Sequence, residues 1–316
     1  MSKILVVGGA GYIGGVTTDL LLQNGHTVTV FDNLLYEERY LKNCDFKFGD
    51  IRNTDKLISI HKKYDKIIWL AAIVGDGACA QNPELTKEIN VNSLKRFLDK
   101  TKRSIIFTST CSVYGAQHNI LNEESPTNPL SVYAGTKLEA ENFVLKNNGL
   151  VFRLGTLFGL GDRYSRIRLD LVVNILTLRA IKQKKLTVFG GEQWRPILAV
   201  RDVGGYLCES ITRDYTGIYN LRYKNIVIYE LAKKIQSILP NVQIEQTEMS
   251  FEDLRNYRVD NSRSQLDFIF KPTISVEEEV HRLKLLFEEN RIKNTDDDIY
   301  YNTRYFEYLI KNGYGR

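Results

Sequence analysis

Two side chains in the stretch "SVYAGTK" stand four residues apart: Tyr133 and Lys137. On a helix, positions i and i+4 are neighbours. A lysine ammonium beside a phenol favours the phenolate and lowers its pKa from about 10. A phenol tuned in this way can act as a general base near neutral pH. Spacing alone does not decide the matter, because Tyr229 and Lys233 in "YELAK" repeat it. The surroundings of each pair have to decide.

A second chemistry is written near the N-terminal end. In "GGAGYIGG", Gly8, Gly11 and Gly14 are spaced G-x-x-G-x-x-G between a strand-like run, "KILVVGG", and a helical one, "YIGGVTTDLLLQNG". Glycines there allow a tight turn, close approach of a pyrophosphate and close helix–strand packing, and the helix N-terminus offers free N–H groups to phosphate. A glycine-rich turn without a ligand is the competing reading. Asp32 weighs against it: it closes the next strand, eighteen residues past Gly14, where a carboxylate bonds ribose hydroxyls and repels a 2′-phosphate. No Arg or Lys follows before Arg39, which favours NAD over NADP. Asp50 in "FGDIR" either reaches the adenine side or caps the next helix.

These residues need a frame. "KILVVGG", "HTVTVFD", "DFKFGD", "KIIWLAAIV", "SIIFTST" and "LVFRLG" read as strands. They are near-continuous apolar runs, the habit of parallel strands covered on both faces. Helical stretches separate them, among them "PELTKEINVNSLKRFLDKT" and "SVYAGTKLEAENFVLKNNG". The alternation predicts an α/β doubly wound parallel sheet of Rossmann type. After about Gly159 the rhythm breaks. "RIRLDLVVNILTLRAIKQ" reads as one long helix, and "LTVFGGEQWRPILAV" as two strands around a Gly-Gly turn. The expected division is a dinucleotide-binding domain over 1–160, to which 198–225 returns. A smaller mixed α/β substrate domain takes 161–197 and 226–316.

Composition narrows the rest. The 316 residues carry a net charge of +5 and four scattered cysteines, Cys44, Cys79, Cys111 and Cys208. The cysteines form no C-x-x-C pair and have no His at ligand spacing, which argues against zinc or a disulfide framework and fits a reducing compartment. No apolar run reaches the roughly 18 residues of a bilayer span, and "MSKILVVGG" shows no signal peptide. Basic and acidic residues are interspersed except at "KQKK", residues 182–185. No basic stripe with stacking aromatics points to nucleic acid. The expectation is a cytoplasmic protein with a small anionic ligand, no nucleic acid, no membrane and no metal.

The segments "GGAGYIGG", "FDNL", "GDI", "LAA", "TSTCSVYG", "YAGTK" and "VFRLGTLFG" occur in the order of the extended short-chain dehydrogenase/reductases. The chain resembles, more narrowly, their NAD-dependent nucleotide-sugar epimerase/dehydratase family. "VFGGEQWRPILAVRDV" and "YRVDNSRSQLDF" extend the likeness into the second half. The resemblance chooses Tyr133 and Lys137 over Tyr229 and Lys233, which lack any motif around them. It implies that Tyr133 takes a proton from a sugar hydroxyl, that Lys137 lowers its pKa and holds the nicotinamide ribose, and that Thr110 bonds the same hydroxyl. It also implies a cofactor set of Gly8, Gly11, Tyr12, Ile13, Asp32, Asn33, Asp50, Ile51, Leu70, Ala71, Ala72, Asn90, Thr108, Tyr133 and Lys137. For the substrate it implies Arg195 on the diphosphate, Asp253 and Arg255 on the nucleotide, and Asp76 on a sugar hydroxyl. Arg168 and Asn174 either line the phosphate or base pocket or belong only to a packed helix.

Four departures shape the expected reaction. Where 4,6-dehydratases of the family carry Asp-Glu after the Ser/Thr, this chain has Cys111 and Ser112, so dehydration is disfavoured. Thr156 replaces the usual Asn of the R-x-x-N segment, Ala199 replaces a usual His, and the sugar loop "AAIVGDGACA" is not the Ser-rich one of common UDP-galactose 4-epimerases. The remaining chemistry is oxidation at C4, giving either a released 4-keto sugar or a 4-epimer. "AAIVGDGACAQNP", "TSTCSVYG" and "RLDLVVN" resemble the enzymes that oxidise C4 of GDP-activated heptoses in polysaccharide assembly. A non-catalytic NAD-sensing regulator is the remote alternative, and the retained Thr110, Tyr133 and Lys137 speak against it. By the same likeness the protein is expected to form a homodimer or higher homo-oligomer, through a helix face carrying Leu138, Ala140, Phe143 and Val144.

Overall fold

Successive side chains of a strand point to opposite faces of its sheet. In β1 (Lys3–Val7) Ile4 and Val6 enter one apolar core and Leu5 and Val7 another, and all four are fully buried. A strand covered on both sides needs helices above and below, and the computed structural model, which describes residues 1–248 and 256–315, supplies them.

Along the chain β1 is followed by α1 (Tyr12–Gln23), β2 (Thr27–Asp32), β3 (Asp45–Phe48), α2 (Thr54–Ile60), β4 (Lys66–Trp69), α3 (Asp76–Gln81), α4 (Pro83–Lys87), α5 (Ser93–Thr101), β5 (Ile106–Thr110), β6 (Ile120–Leu121), α6 (Val132–Lys146), β7 (Leu150–Leu154) and β8 (Thr156–Phe158). Then come α7 (Val172–Gln183), β9 (Lys185–Phe189), β10 (Trp194–Ala199), α8 (Val200–Glu209), β11 (Gly217–Leu221), β12 (Lys224–Val227), α9 (Ile228–Ile238), β13 (Gln243–Thr247), β14 (Arg258–Val259), α10 (Ser262–Asp267), α11 (Val276–Glu288) and α12 (Asn302–Lys311). The main sheet is parallel throughout, in the order β11-β7-β5-β4-β1-β2-β3. Strand order reverses between β1 and β4, and in open α/β sheets ligands bind beyond the carboxyl ends of the strands at such a switch point.

From the second half of the chain, β11 returns to this sheet beside β7. The second layer holds β12-β10-β8 and β13-β9, with α7, α9 and α11 packed around a core that includes Phe158, Leu231 and Val280.

The structure corrects four expectations. The helix expected over "PELTKEINVNSLKRFLDKT" is α4 and α5 joined by a π turn over Glu88–Asn92. There Ser93 donates its hydroxyl to the Glu88 carbonyl (2.9 Å) and the widened turn aims Asn90 at Ile73. The long helix over 166–183 starts only at Val172, because Arg166, Arg168 and Asp170 are drawn into contacts that a helix would forbid. The strands of "LTVFGGEQWRPILAV" exist but do not pair with each other: β9 pairs with β13, and β10 with β8 and β12. Finally, α12 does not stay in the second domain. Its Phe306 is fully buried in the first domain's core, with Trp69 and Phe97.

Candidate active site

The glycine loop follows from backbone geometry. Gly8 has φ +83°, and a Cβ on it would stand 2.4 Å from the Ala71 nitrogen. A Cβ on Gly14 would meet the Gly9 Cα at 2.5 Å, so α1 presses directly on the loop. Gly11, the N-cap of α1, has only the Gly8 carbonyl nearby, at 3.6 Å, and keeps the approach to the helix N-terminus clear. Turn, helix packing and open approach thus fall to three different glycines, and the unpaired first-turn amides of α1 suit a pyrophosphate.

Asp32 ends β2 and accepts the Ala10 amide (3.0 Å) and the Leu34 amide (2.8 Å). Burial pushes its carboxyl up, and these two bonds oppose the shift. Each oxygen retains acceptor capacity for a ribose hydroxyl. Asp50 is differently used. Arg52 grips it bidentately (3.0 and 2.8 Å) and through its amide (2.8 Å), and Asn33 adds a bond (3.1 Å). Despite its burial, these donors hold Asp50 below the usual carboxylate range. It is neither the cap of α2 nor a spare acceptor for adenine.

Thr110, Tyr133 and Lys137 line one cleft with the glycine loop, Asp32, Asn33, Ile51, Leu70, Ala71, Ala72 and Thr108. Thr110 ends β5. Its hydroxyl oxygen accepts the Ser112 amide (3.1 Å), leaving its own proton to be donated into the cleft. Ser131 caps α6 through the Ala134 amide (3.2 Å) and donates to Asp76 Oδ1 (2.7 Å), so the helix that carries Tyr133 starts at the sugar loop. A buried polar chain fixes the rest of α6: Ser109 and Arg153 bind Glu141, Arg153 donates to the Tyr114 hydroxyl (2.9 Å), and that hydroxyl donates to Asn220 Oδ1 (2.9 Å) on β11.

One electrostatic expectation is overturned. Burial raises the Tyr133 phenol, helped by Cys79, while Arg168 opposes the shift. The Lys137 ammonium lies over the Phe107 ring, 4.4 Å from its centroid. Burial lowers Lys137 itself to about 8.

Other expected contacts sort differently. Tyr12 lines the cleft and donates to the Gly159 carbonyl (2.6 Å). Asn90 lies behind the wall, holding Ile73 through its amide (2.8 Å) and carbonyl (2.9 Å). Asn174 is fully buried and spent on Gly159 (2.9 and 3.1 Å) and the Arg168 carbonyl (2.8 Å). It is a clamp on the loop, not a phosphate ligand. Arg168 does face the cleft, paired with Asp170 (3.0 and 2.8 Å). Arg195 is buried on β10, where it donates to the Trp194 carbonyl (2.9 Å). Asp253 and Arg255 lie outside the described residues. The sequence reading missed Tyr36, Arg166, Tyr257, Asn302 and Tyr314, all of which line the cleft. A second hollow, lined by His118, Trp194 and Arg258 among others, adjoins it at Tyr257. No group of three metal-binding side chains occurs among the described residues, and no helix there is long and apolar enough to cross a membrane.

A family model described as the NAD dependent epimerase/dehydratase family matches residues 4–221. The chain belongs to that family. It is therefore an NAD-dependent enzyme of the extended short-chain dehydrogenase/reductase type. The family member UDP-glucuronic acid decarboxylase 1 of Danio rerio is 26% identical over 299 residues, covering 89% of this chain and 71% of that protein. The UDP-glucose 4-epimerase of Corynebacterium glutamicum is 27% identical over 218 residues, covering 63% of this chain and 66% of that one. Among solved structures, a UDP-glucose 4-epimerase from Thermotoga maritima with UDP-glucose superposes with a TM-score of 0.79. It is 23% identical, covering 92% of this chain and 99% of its own, a likeness of fold. The residues at the cleft fit NAD: a clear approach to the α1 N-terminus at Gly11 and an Asp32 with acceptor capacity to spare.

Proposed function

We propose that the protein oxidises C4 of a nucleotide-activated sugar, a GDP-heptose or GDP-hexose, to the 4-keto sugar in surface-polysaccharide synthesis. The observation that carries this is the meeting of Thr110, Tyr133 and Lys137 in one cleft with the glycine loop and Asp32. Thr110 orients the C4 hydroxyl, and the Tyr133 oxygen takes its proton once the positive charge of Lys137 and of the bound nicotinamide ring offsets the burial that raises the phenol in the nucleotide-free protein. Bound NAD supplies the hydride acceptor. Lys137, with a pKa near 8, is charged in most molecules at neutral pH and holds ribose hydroxyls and the phenolate in register.

The residues after Thr110 argue against elimination of water. The Cys111 thiol is fully buried, pushed up by burial and donated to the Arg153 carbonyl (3.2 Å). The Ser112 hydroxyl contacts the Tyr257 hydroxyl (3.2 Å). Neither is a carboxylate placed for acid–base work at C5 and C6. The nucleotide is assigned to the second hollow, where Arg258 lies 5.2 Å from the Trp194 ring centroid. The sugar loop and "RLDLVVN" favour GDP-heptose; the UDP-glucose 4-epimerase relative favours a 4-epimerase as the second reading.

One assay separates them. Protein, NAD and a panel of GDP- and UDP-sugars are mixed, with absorbance followed at the NADH band and products weighed. Growing NADH and a product two hydrogens lighter mean oxidation; unchanged mass with a new chromatographic peak means epimerisation. Tyr133→Phe is expected to cut turnover by about 10²–10⁴-fold; full turnover in that variant would remove the assigned base. The location is proposed to be cytoplasmic and the assembly a homodimer. Ala140 and Val144 are buried in the protein's own core, so the dimer reading now rests on Leu138 and Phe143, and a monomer mass by light scattering would end it.

A further inference from the structure

We propose that residues 302–314 form the adenine-facing wall of the NAD site, with the Tyr314 ring as the surface that packs on the adenine. The proposal rests on the family's use of NAD and is independent of which sugar is oxidised.

Tyr314 lines the same cleft as Asp32, Asn33, Asp50 and Ile51. These residues follow β2 and β3, and in this fold the adenosine half of a dinucleotide lies there, beyond the carboxylate that takes the ribose. The ring is braced on two sides. The Arg52 guanidinium carbon is 5.0 Å from its centroid, and Arg52 is itself locked by Asp50. Phe306 meets it edge-on at 6.2 Å. Asp50 already takes donors from Arg52 and Asn33 on both oxygens. What this end of the cleft offers a flat purine is therefore an aromatic face, which stacks on any base.

The far end of the segment is bolted as firmly. The Asn302 amide donates to Asp170 Oδ2 (3.2 Å), its side-chain nitrogen to the Val74 carbonyl (3.0 Å), and its Oδ1 accepts from Arg166. Val74 and Arg166 line the cleft too. Arg166 in turn lies 4.2 Å over the Tyr36 ring. The wall thus joins the sugar loop, the 166–170 segment and the adenine end.

The test measures binding to nucleotide-free protein by calorimetry, with ADP-ribose and nicotinamide mononucleotide as probes. Tyr314→Ala and Tyr314→Leu are expected to weaken NAD and ADP-ribose by about tenfold or more, the scale of a lost base–aromatic stack. Tyr314→Phe keeps the ring and is expected to stay within about threefold of the wild type, and nicotinamide mononucleotide to bind all four proteins alike. The leucine variant preserves apolar volume, so a folding defect confined to alanine leaves the comparison intact. Unchanged ADP-ribose affinity in the leucine variant, or equal losses for both probes, would overturn the proposal. No sugar enters the measurement, so an error in the proposed reaction leaves its result standing.

Discussion

Replacing Lys137 by methionine should abolish activity and make the folded protein more stable. Lys137 is 3% exposed, and burial lowers its pKa from 10.5 to about 8. That fall, 10.5 − 8 or about 2.5, costs about 3 kcal/mol at about 1.4 kcal/mol per pKa unit whenever the ammonium is charged in both states. The Phe107 ring returns about 1–2 kcal/mol of this as a cation–π contact. Methionine keeps an unbranched stem and discards the charge, so Lys137→Met should gain about 1–2 kcal/mol, or about 1.5–3 °C in Tm near pH 7 for a chain of this length. The pH dependence has a definite sign. Between about pH 8 and 10.5 the unfolded chain holds a proton that the folded chain has released, so wild-type stability rises with pH through that window. The advantage of the variant should shrink accordingly. Thermal denaturation of both nucleotide-free proteins near pH 7 and near pH 10 reads it directly. A methionine variant less stable than wild type near pH 7, or a gap that does not narrow with pH, would refute the account of Lys137 as a desolvated cation.

Three further variants test the glycine loop and the reassigned asparagine. Gly8→Ala places a Cβ 2.4 Å from the Ala71 backbone at φ +83° and should lower Tm as well as NAD affinity. Gly11→Ala meets nothing closer than 3.6 Å and should fold like the wild type while losing NAD affinity by about tenfold; normal NAD binding by Gly11→Ala would remove the pyrophosphate from that helix end. Asn174→Ala strips partners from Gly159 and the Arg168 carbonyl and should cost about 2–3 kcal/mol of stability. An unchanged melting curve with a raised KM for the nucleotide sugar would return Asn174 to the substrate.

The parallel sheet was legible because its strands are buried on both faces and therefore read as unbroken apolar runs. The glycine loop, Asp32 and the Tyr133–Lys137 pair were legible because their spacing is local. The segment 166–171 was not. Ile167 and Leu169 are buried, as helix residues would be, yet the partners that hold the segment straight, Ile299 and Asn302, lie far along the chain. Periodicity carries no record of them. The family resemblance put Asn90 in the cofactor set and left Asn174 between the phosphate or base pocket and a packed helix; an amide suits a loop's backbone as well as a ligand, and only the fold chooses. Tyr314 sits in no motif at all. The direction of the Tyr133 shift was misjudged for a related reason: the i, i+4 rule gives proximity, whereas desolvation depends on everything packed around the pair.

The seventh strand has a consequence for how the protein is made. β11 pairs with β7 and delivers Asn220 to the polar chain that ends on α6, but it is synthesised only after β8, α7, β9, β10 and α8. Until it emerges from the ribosome, β7 is an open edge and the Tyr114 hydroxyl lacks its Asn220 acceptor. Long-range parallel pairing of this kind is slow, and an open edge is a template for joining to other chains. The nascent chain thus carries an unpaired β7 edge between the release of residue 154 and that of residue 221, the interval in which such an edge is open to pairing with another chain.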